Sequence, residues 1–416
     1  MPATGIPKED RQPHSPPRQR LTLTGRKNVL AVVPTVTFFQ RVCEVLPLVE
    51  TDLRVQVHFS APPHDLGDGL ARLAHGLGIS VLPWERAVRT DFDLALAAGP
   101  TGLDAVRAPV ITMPHGAGFQ KRRRGGHGLR VPGLCPEDIL LPGGRPPAAV
   151  ALPHRDDLDL LARSCPEALP AATVVGDPVR DRIAHSLRRR RAYRRALGLL
   201  PGQKLVVLPS TWGPCSSFAR IEALLPRLLT ELPADRYRVA VLIHPNAWAV
   251  HGPYQLRAWL RQLRRRGGAV VPPEDDWRPV LIAADWIVGD HGSVTVYATL
   301  TGRPMLLAAS PVQEINPHAA AAELAHTAPA LTPSCPLTEQ LRHARAEYRP
   351  ERYRPIAARI SSEPGRFGRN MRRLLYRTLG LGEPAHPVEA EPLPLPPSLD
   401  AWAAAGRPPR SGEATA

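Results

Sequence analysis

From about residue 25 onward, short apolar runs alternate with amphipathic stretches, and that alternation predicts βα units built around a parallel sheet. Residues 28–33, 54–59, 79–82, 93–97, 110–113, 138–141 and 148–152 read as strands, with helices at 38–50, 66–76 and 156–163. Residues 172–175 read as a connecting strand, Gly176-Asp177-Pro178 as a forced turn, and 181–197 as a strongly basic helix. The period then restarts, with strands at 204–208, 238–243, 269–271, 285–288 and 304–307 and helices at 218–232, 253–265, 278–283 and 294–300. Two consecutive series predict an α/β protein of two Rossmann-like domains facing a cleft. The expected division is a basic arm at 1–24, a first domain at 25–172, a second at 173–382 that includes a basic terminal helix within 352–380, and a Pro/Ala-rich tail at 383–416.

Composition supports that division. A chain of 416 residues exceeds the roughly 250–300 residues that one core sustains. Many of its 49 prolines sit near the two ends, where they mark tails. The net charge of +15 invites a nucleic-acid partner, but lysine occurs only at Lys8, Lys27, Lys121 and Lys204, so the excess is arginine in a chain biased toward Ala, Pro, Gly and Leu. The aromatic residues are not interleaved with arginine as a base-stacking surface requires, which argues against nucleic acid. Cys43, Cys135, Cys165, Cys215 and Cys335 are scattered without zinc spacing, so neither a metal nor a disulfide framework is expected, and no cofactor. The polar N-terminus lacks an apolar signal segment and no apolar run approaches 18 residues. The expectation is a cytoplasmic protein, touching the inner face of the membrane peripherally through Lys121, Arg122, Arg123 and Arg124 and an amphipathic stretch at 366–377.

In an open parallel sheet, ligands bind outside the carboxyl ends of the strands, and four strands end in more than turn residues. Met113-Pro114-His115-Gly116-Ala117-Gly118 puts an imidazole beside glycines that let a ligand approach, just ahead of the basic run that begins at Lys121. Ser210-Thr211-Trp212-Gly213 offers hydroxyls for phosphate or ribose. Ile243-His244-Pro245-Asn246 leaves a second imidazole at a strand tip. Val288-Gly289-Asp290-His291-Gly292-Ser293 runs a strand into a helix N-terminus, a recipe for binding phosphate without a metal. A loop histidine, ordinary turn chemistry, a carbonyl-capping histidine and a plain Ser293 N-cap are the bland alternatives.

Taken in order, His115-Gly116, Gly176-x-Pro178-x-x-Asp181, Ser210-Thr211-Trp212, His244-Pro245 and Asp290-x-x-Ser293 resemble the ordered blocks of the CDP-glycerol glycerophosphotransferase family over residues 110 to 310. The resemblance implies a GT-B-like fold and transfer of a phosphoalditol group from a CDP-activated donor to a hydroxyl acceptor, lipid-linked or free, in cell-envelope polymer synthesis. It implies catalytic roles for His115, as the base, and His244, at the donor phosphate. Gly116, Ser210, Thr211, Asp290, Gly292 and Ser293 would form the donor site, and Lys121, Arg122, Arg123 and Arg124 would meet an acceptor or membrane phosphate. Three positions depart from the family: Gly213 stands in place of an arginine, Gly292 in place of a serine, and Tyr297 in place of an acidic residue. Two other functions compete: a sugar-nucleotide enzyme similar to glycosyltransferases or UDP-N-acetylglucosamine 2-epimerases, and a non-catalytic nucleotide or nucleic-acid binder. Epimerase chemistry needs several carboxylates in the cleft, where only Asp290 and Asp177 are at hand.

Overall fold

The computed structural model of the chain describes residues 23–67, 69–123, 130–388 and 390–404. Among them the first series of apolar runs forms strands β1 (Lys27–Val32), β2 (Val55–Ser60), β3 (Val81–Leu82), β4 (Leu94–Ala97), β5 (Val110–Thr112), β6 (Ala149–Leu152) and β7 (Ala172–Val174). They pair in parallel in the order β3-β2-β1-β4-β5-β6-β7. The second series forms β8 (Lys204–Ser210), β9 (Tyr237–Ile243), β10 (Ala269–Val271), β11 (Trp286–Gly289) and β12 (Met305–Leu307), in the parallel order β10-β9-β8-β11-β12. Helices cover both faces of each sheet, so strands such as β4 and β11 are buried throughout and read as unbroken apolar runs. Strand order reverses around β1 in the first sheet and around β8 in the second, which sets the functional crevice at their carboxyl ends.

Four expectations need correction. Residues 138–141 are not a strand. Pro136 opens a short helix, Pro136–Ile139, whose first turn carries Glu137 and Asp138, the chemistry that favours a helix start. The strand at 172 is the edge of the first sheet, paired with β6 through Thr173 and Val174, so the chain passes to the second half after Val174, not before Thr173. The helix Phe367–Leu379 packs Met371, Leu374, Leu375 and Leu379 into the core of the first half, not the second. With that face taken, only its arginine side (Arg366, Arg369, Arg373, Arg377) remains exposed.

The fourth correction concerns the tail. Leu393, Leu399 and Trp402 are buried in the core of the second half, and Leu399–Ala404 forms a helix. Prolines preset the extended backbone between these anchors at low entropic cost. The Leu393 N–H donates to Ser186 Oγ at 2.9 Å and the Trp402 indole to Asp275 at 2.7 Å. Residues 1–22 of the expected arm (1–24) and the chain beyond 404 lie outside the described residues.

The basic stretch after Asp177 is two helices, Pro178–Ser186 and Arg190–Ala196, joined by a tight turn. Its charge is partly consumed inside the molecule, since Arg190 and Arg194 both pair with Asp285, at 3.0 and 2.9 Å. The two halves meet closely. Glu44 of the first accepts from Arg278 at 2.6 Å and Arg182 at 3.2 Å of the second, and Gln40 donates to the Pro273 carbonyl at 2.7 Å. Residues 120–122 run beside 314–316, with backbone bonds from Asn316 to Gln120 (2.9 Å) and from Arg122 to Glu314 (3.0 Å).

Candidate functional site

Asp290 organises the loop at the end of β11. It is fully buried, its Oδ2 accepts from the Thr211 and Ser217 N–H groups at 2.9 and 2.8 Å, and its Oδ1 accepts from the Gly292 N–H at 2.9 Å. Thr295 Oγ1 accepts in turn from the Asp290 N–H at 3.1 Å. An ionised carboxylate is an acceptor only, and these donors occupy both of its oxygens. Asp290 thereby ties the β8 and β11 loops together from beneath. Ser210 is likewise internal, accepting from the Phe218 N–H at 2.8 Å and donating to the Thr211 carbonyl, while Thr211 is buried. Gly292 is needed for packing, since a Cβ there would lie 2.8 Å from Thr211 Cβ.

Ser293 is the member of this loop that reaches the cleft, and it meets the first half directly. A Cβ on Gly116 would meet the Ser293 side chain, so glycine there lets the β5 loop sit close to the helix Ser293–Ala298. Next to it, His115 stacks on Phe38 with ring centroids 5.1 Å apart and reaches the Ala98 carbonyl through Nδ1 at 3.3 Å. Its outer edge stays open to cleft water. Enclosure by the facing loops, with the charges of Arg41 and Lys121 adding, outweighs the carbonyl contact and pushes its pKa down to about 4, so the ring is neutral at pH 7.

Across the cleft, His244 caps the helix Pro245–His251, its Nδ1 accepting from the Asn246 N–H at 3.1 Å. Nδ1 is thus the unprotonated nitrogen and Nε2 carries the proton. Burial first, then His115 and Lys121, push this pKa down to about 3. Lys121 turns inward: its ammonium lies 5.5 Å from the centre of the exposed Trp212 ring, a cation–π distance, and that ring is 6.3 Å from His244. His291, not singled out by the sequence, is buried with neither ring nitrogen hydrogen-bonded among the described residues, 3.7 Å from Glu314. Burial and then Lys121 lower its pKa against the pull of Asp290 and Glu314.

The basic run does not form one open cationic patch. Arg122 donates to the Gln313 carbonyl at 2.8 Å, Arg123 pairs with Glu137 and Asp138, and Arg124 lies outside the described residues. Among the described residues, Cys135, Glu137 and Asp138 approach metal-ligand spacing. Their carboxylates are already held by Arg123, Arg130 and the Gly133 N–H, and a cation would have to compete with those guanidinium groups. A cavity of about 510 Å³ opens between the halves, lined among others by Val36, Arg72, Leu73, Pro245, Trp248 and Arg257.

No family model and no curated protein matches this chain in sequence. Solved structures do match in shape. The wall teichoic acid polymerase TagF is similar over 86% of this chain and 90% of its own, at a TM-score of 0.56 and 13% identity. The S. aureus MnaA–UDP co-structure matches 85% of this chain and 97% of its own, at a TM-score of 0.50 and 12% identity. The fold is GT-B-like. Likeness to a teichoic-acid enzyme, read from ordered motifs, thus reappears in three dimensions as likeness of fold. In a GT-B-like fold the paired sheets present their carboxyl ends to one crevice, and His115, His244, Lys121 and Ser293 converge there.

Two enclosed imidazoles make stability pH-dependent. His244 and His291 stay neutral in the folded chain, whereas in the unfolded chain they protonate near pH 6.5. Between about pH 6.5 and 4 the unfolded state therefore binds more protons, so stability is present at neutral pH and lost as pH falls through that window. Thermal melts from pH 8 to 4.5 should show Tm falling below about pH 6.5, and His244→Gln should flatten that fall. A Tm constant across the range would contradict the burial of neutral rings.

Proposed function

We propose that the protein transfers a glycerol phosphate-like group from a CDP-activated donor to a hydroxyl acceptor in cell-envelope polymer synthesis, working against an anionic membrane surface through the exposed arginines of the helix Phe367–Leu379. The observation that carries this reading is the meeting of His115 with His244, Lys121 and Ser293 across the cleft. Neutral His115 takes the proton of the acceptor hydroxyl as its oxygen bonds to the phosphorus bearing the glycerol. The bond between that phosphorus and the pyrophosphate bridging oxygen breaks, and CMP leaves with the electron pair. Lys121, the Ser293 hydroxyl and the His244 Nε2–H stabilise the charge on the departing phosphate.

The rival readings fare less well. Asp290 and Asp177, the carboxylates that the sequence offers for epimerase chemistry, are both buried and hydrogen-bonded. Part of the basic excess that invited a nucleic-acid reading is spent inside the chain, since Arg190, Arg194, Arg123 and Arg278 are all paired with carboxylates.

Thermal shift with CDP-glycerol, CDP, UDP-glucose and single-stranded RNA tests the reading. A rise selective for the cytidine ligands and unchanged by EDTA is expected, with CMP release when an alditol phosphate acceptor is added. Equal rises with UDP-glucose would favour a sugar-nucleotide enzyme, and a rise with RNA alone would overturn the proposal.

A further inference from the structure

We propose that Arg41 and Tyr297 are positioning residues for His115: with Asp177 they form a buried strut that fixes the His115–Gly116 loop of the first half against the helix Ser293–Ala298 of the second. The role rests on reading His115 as the base. Arg41 is buried on the helix Val36–Cys43, and its Nη2 donates to the Gly116 carbonyl at 2.7 Å and to the Tyr297 hydroxyl at 3.0 Å. The Tyr297 hydroxyl donates to Asp177 Oδ2 at 2.8 Å, and the same oxygen lies 3.4 Å from the Arg41 guanidinium. Asp177 itself is fixed, since its Oδ1 caps the helix Pro178–Ser186 by accepting from the Arg180 N–H at 2.7 Å.

Arg41 thus reaches the carbonyl of the residue after His115, and Tyr297 and Asp177, from two other parts of the chain, hold Arg41 in place. Phe38, three residues before Arg41 and so on the same side of their helix, holds the ring itself by stacking. Ser293 stands beside Gly116. His115 is therefore held at its ring and at its following carbonyl, by a network that joins both halves.

The strut also explains why position 297 departs from the acidic residue of the similar family. A phenol can accept from Arg41 while donating to Asp177. An ionised carboxylate has no proton to donate and would face Asp177 as a like charge. Burial, then Asp177, raise the Tyr297 pKa far above its ordinary value, so the phenol keeps the proton that the geometry uses.

Tyr297→Phe removes only the hydroxyl and is the primary test, read by NMR titration of the histidine rings in the full chain. Around the His115 ring stand Arg41 and Phe38 of one helix, the Ala98 carbonyl, Lys121 of its own loop and His244 of the second half. Besides enclosure, the Arg41 charge holds the His115 pKa down, so loosening the loop from Arg41 should let the His115 midpoint rise toward about 6.5 while His58 stays put. Arg41→Gln should raise it further by removing a positive charge, and Arg41→Lys should fall between. With CDP-glycerol as substrate, kcat for CMP release should drop about tenfold in Tyr297→Phe while KM stays within about twofold, the mark of lost positioning. An unmoved His115 titration in Tyr297→Phe overturns the proposal. The titration needs no substrate, so a wild-type chain inactive on CDP-glycerol would refute the transferase reading and leave the strut to be decided by the ring.

Discussion

His115→Gln should lower kcat for CMP release from CDP-glycerol by about 10²- to 10⁴-fold, the contribution of a positioned general base. Donor affinity should change little, because the groups proposed to hold the donor phosphate (Lys121, His244 and Ser293) are untouched. Glutamine keeps a polar side chain of similar length, so a folding defect is not the expected cause of the loss. The pH profile carries a second signature. Since the ring's pKa is pushed down to about 4, the basic form persists well below the usual imidazole midpoint of about 6.5. The wild-type rate should therefore hold through pH 6 and fall only on further acidification. A variant with wild-type turnover, or a wild-type acid limb centred at 6.5, would remove His115 from the chemistry.

Asp290→Ala should be the most destabilising single change in the cleft loops. It leaves the Thr211, Ser217 and Gly292 N–H groups without their acceptor in a fully buried place. A buried donor left without its acceptor costs about 1–3 kcal/mol, and three of them are a large share of the roughly 5–15 kcal/mol by which a domain is stable. Urea unfolding followed by tryptophan fluorescence should show that loss. Ser293→Ala, three residues on, should cost about 0.5–1.5 kcal/mol at most and act mainly on ligand binding. If Asp290→Ala kept wild-type stability and lost only donor affinity, Asp290 would be a ligand contact and not the hub the geometry describes.

These two residues show where the motifs could and could not be read. His115 and Asp290 both stand at strand ends beside glycine, and sequence pattern treats them alike. They differ in whether neighbouring N–H groups point at them, and those groups come from Thr211 and Ser217, more than seventy residues away. The same holds for Gly292, where glycine before a helix fits phosphate access and close packing equally well until Thr211 is seen against it.

The sequence alone determined the α/β class, the two series of βα units, nearly all the strands and the four loops at their carboxyl ends. Those features follow from local periodicity, because a strand buried on both faces must be apolar wherever it lies. Only the tertiary structure decided which half the helix Phe367–Leu379 and the proline-rich segment around Leu393 and Trp402 would join. An amphipathic face or a lone leucine records that it must be buried, not against what. The strut of Arg41, Tyr297 and Asp177 was equally out of reach: each residue is ordinary in its own segment, and their hydrogen bonds span 136, 256 and 120 positions of the chain. Buried polar groups need partners at fixed distances, and contacts that distant exist only after both sheets have formed and closed on one another.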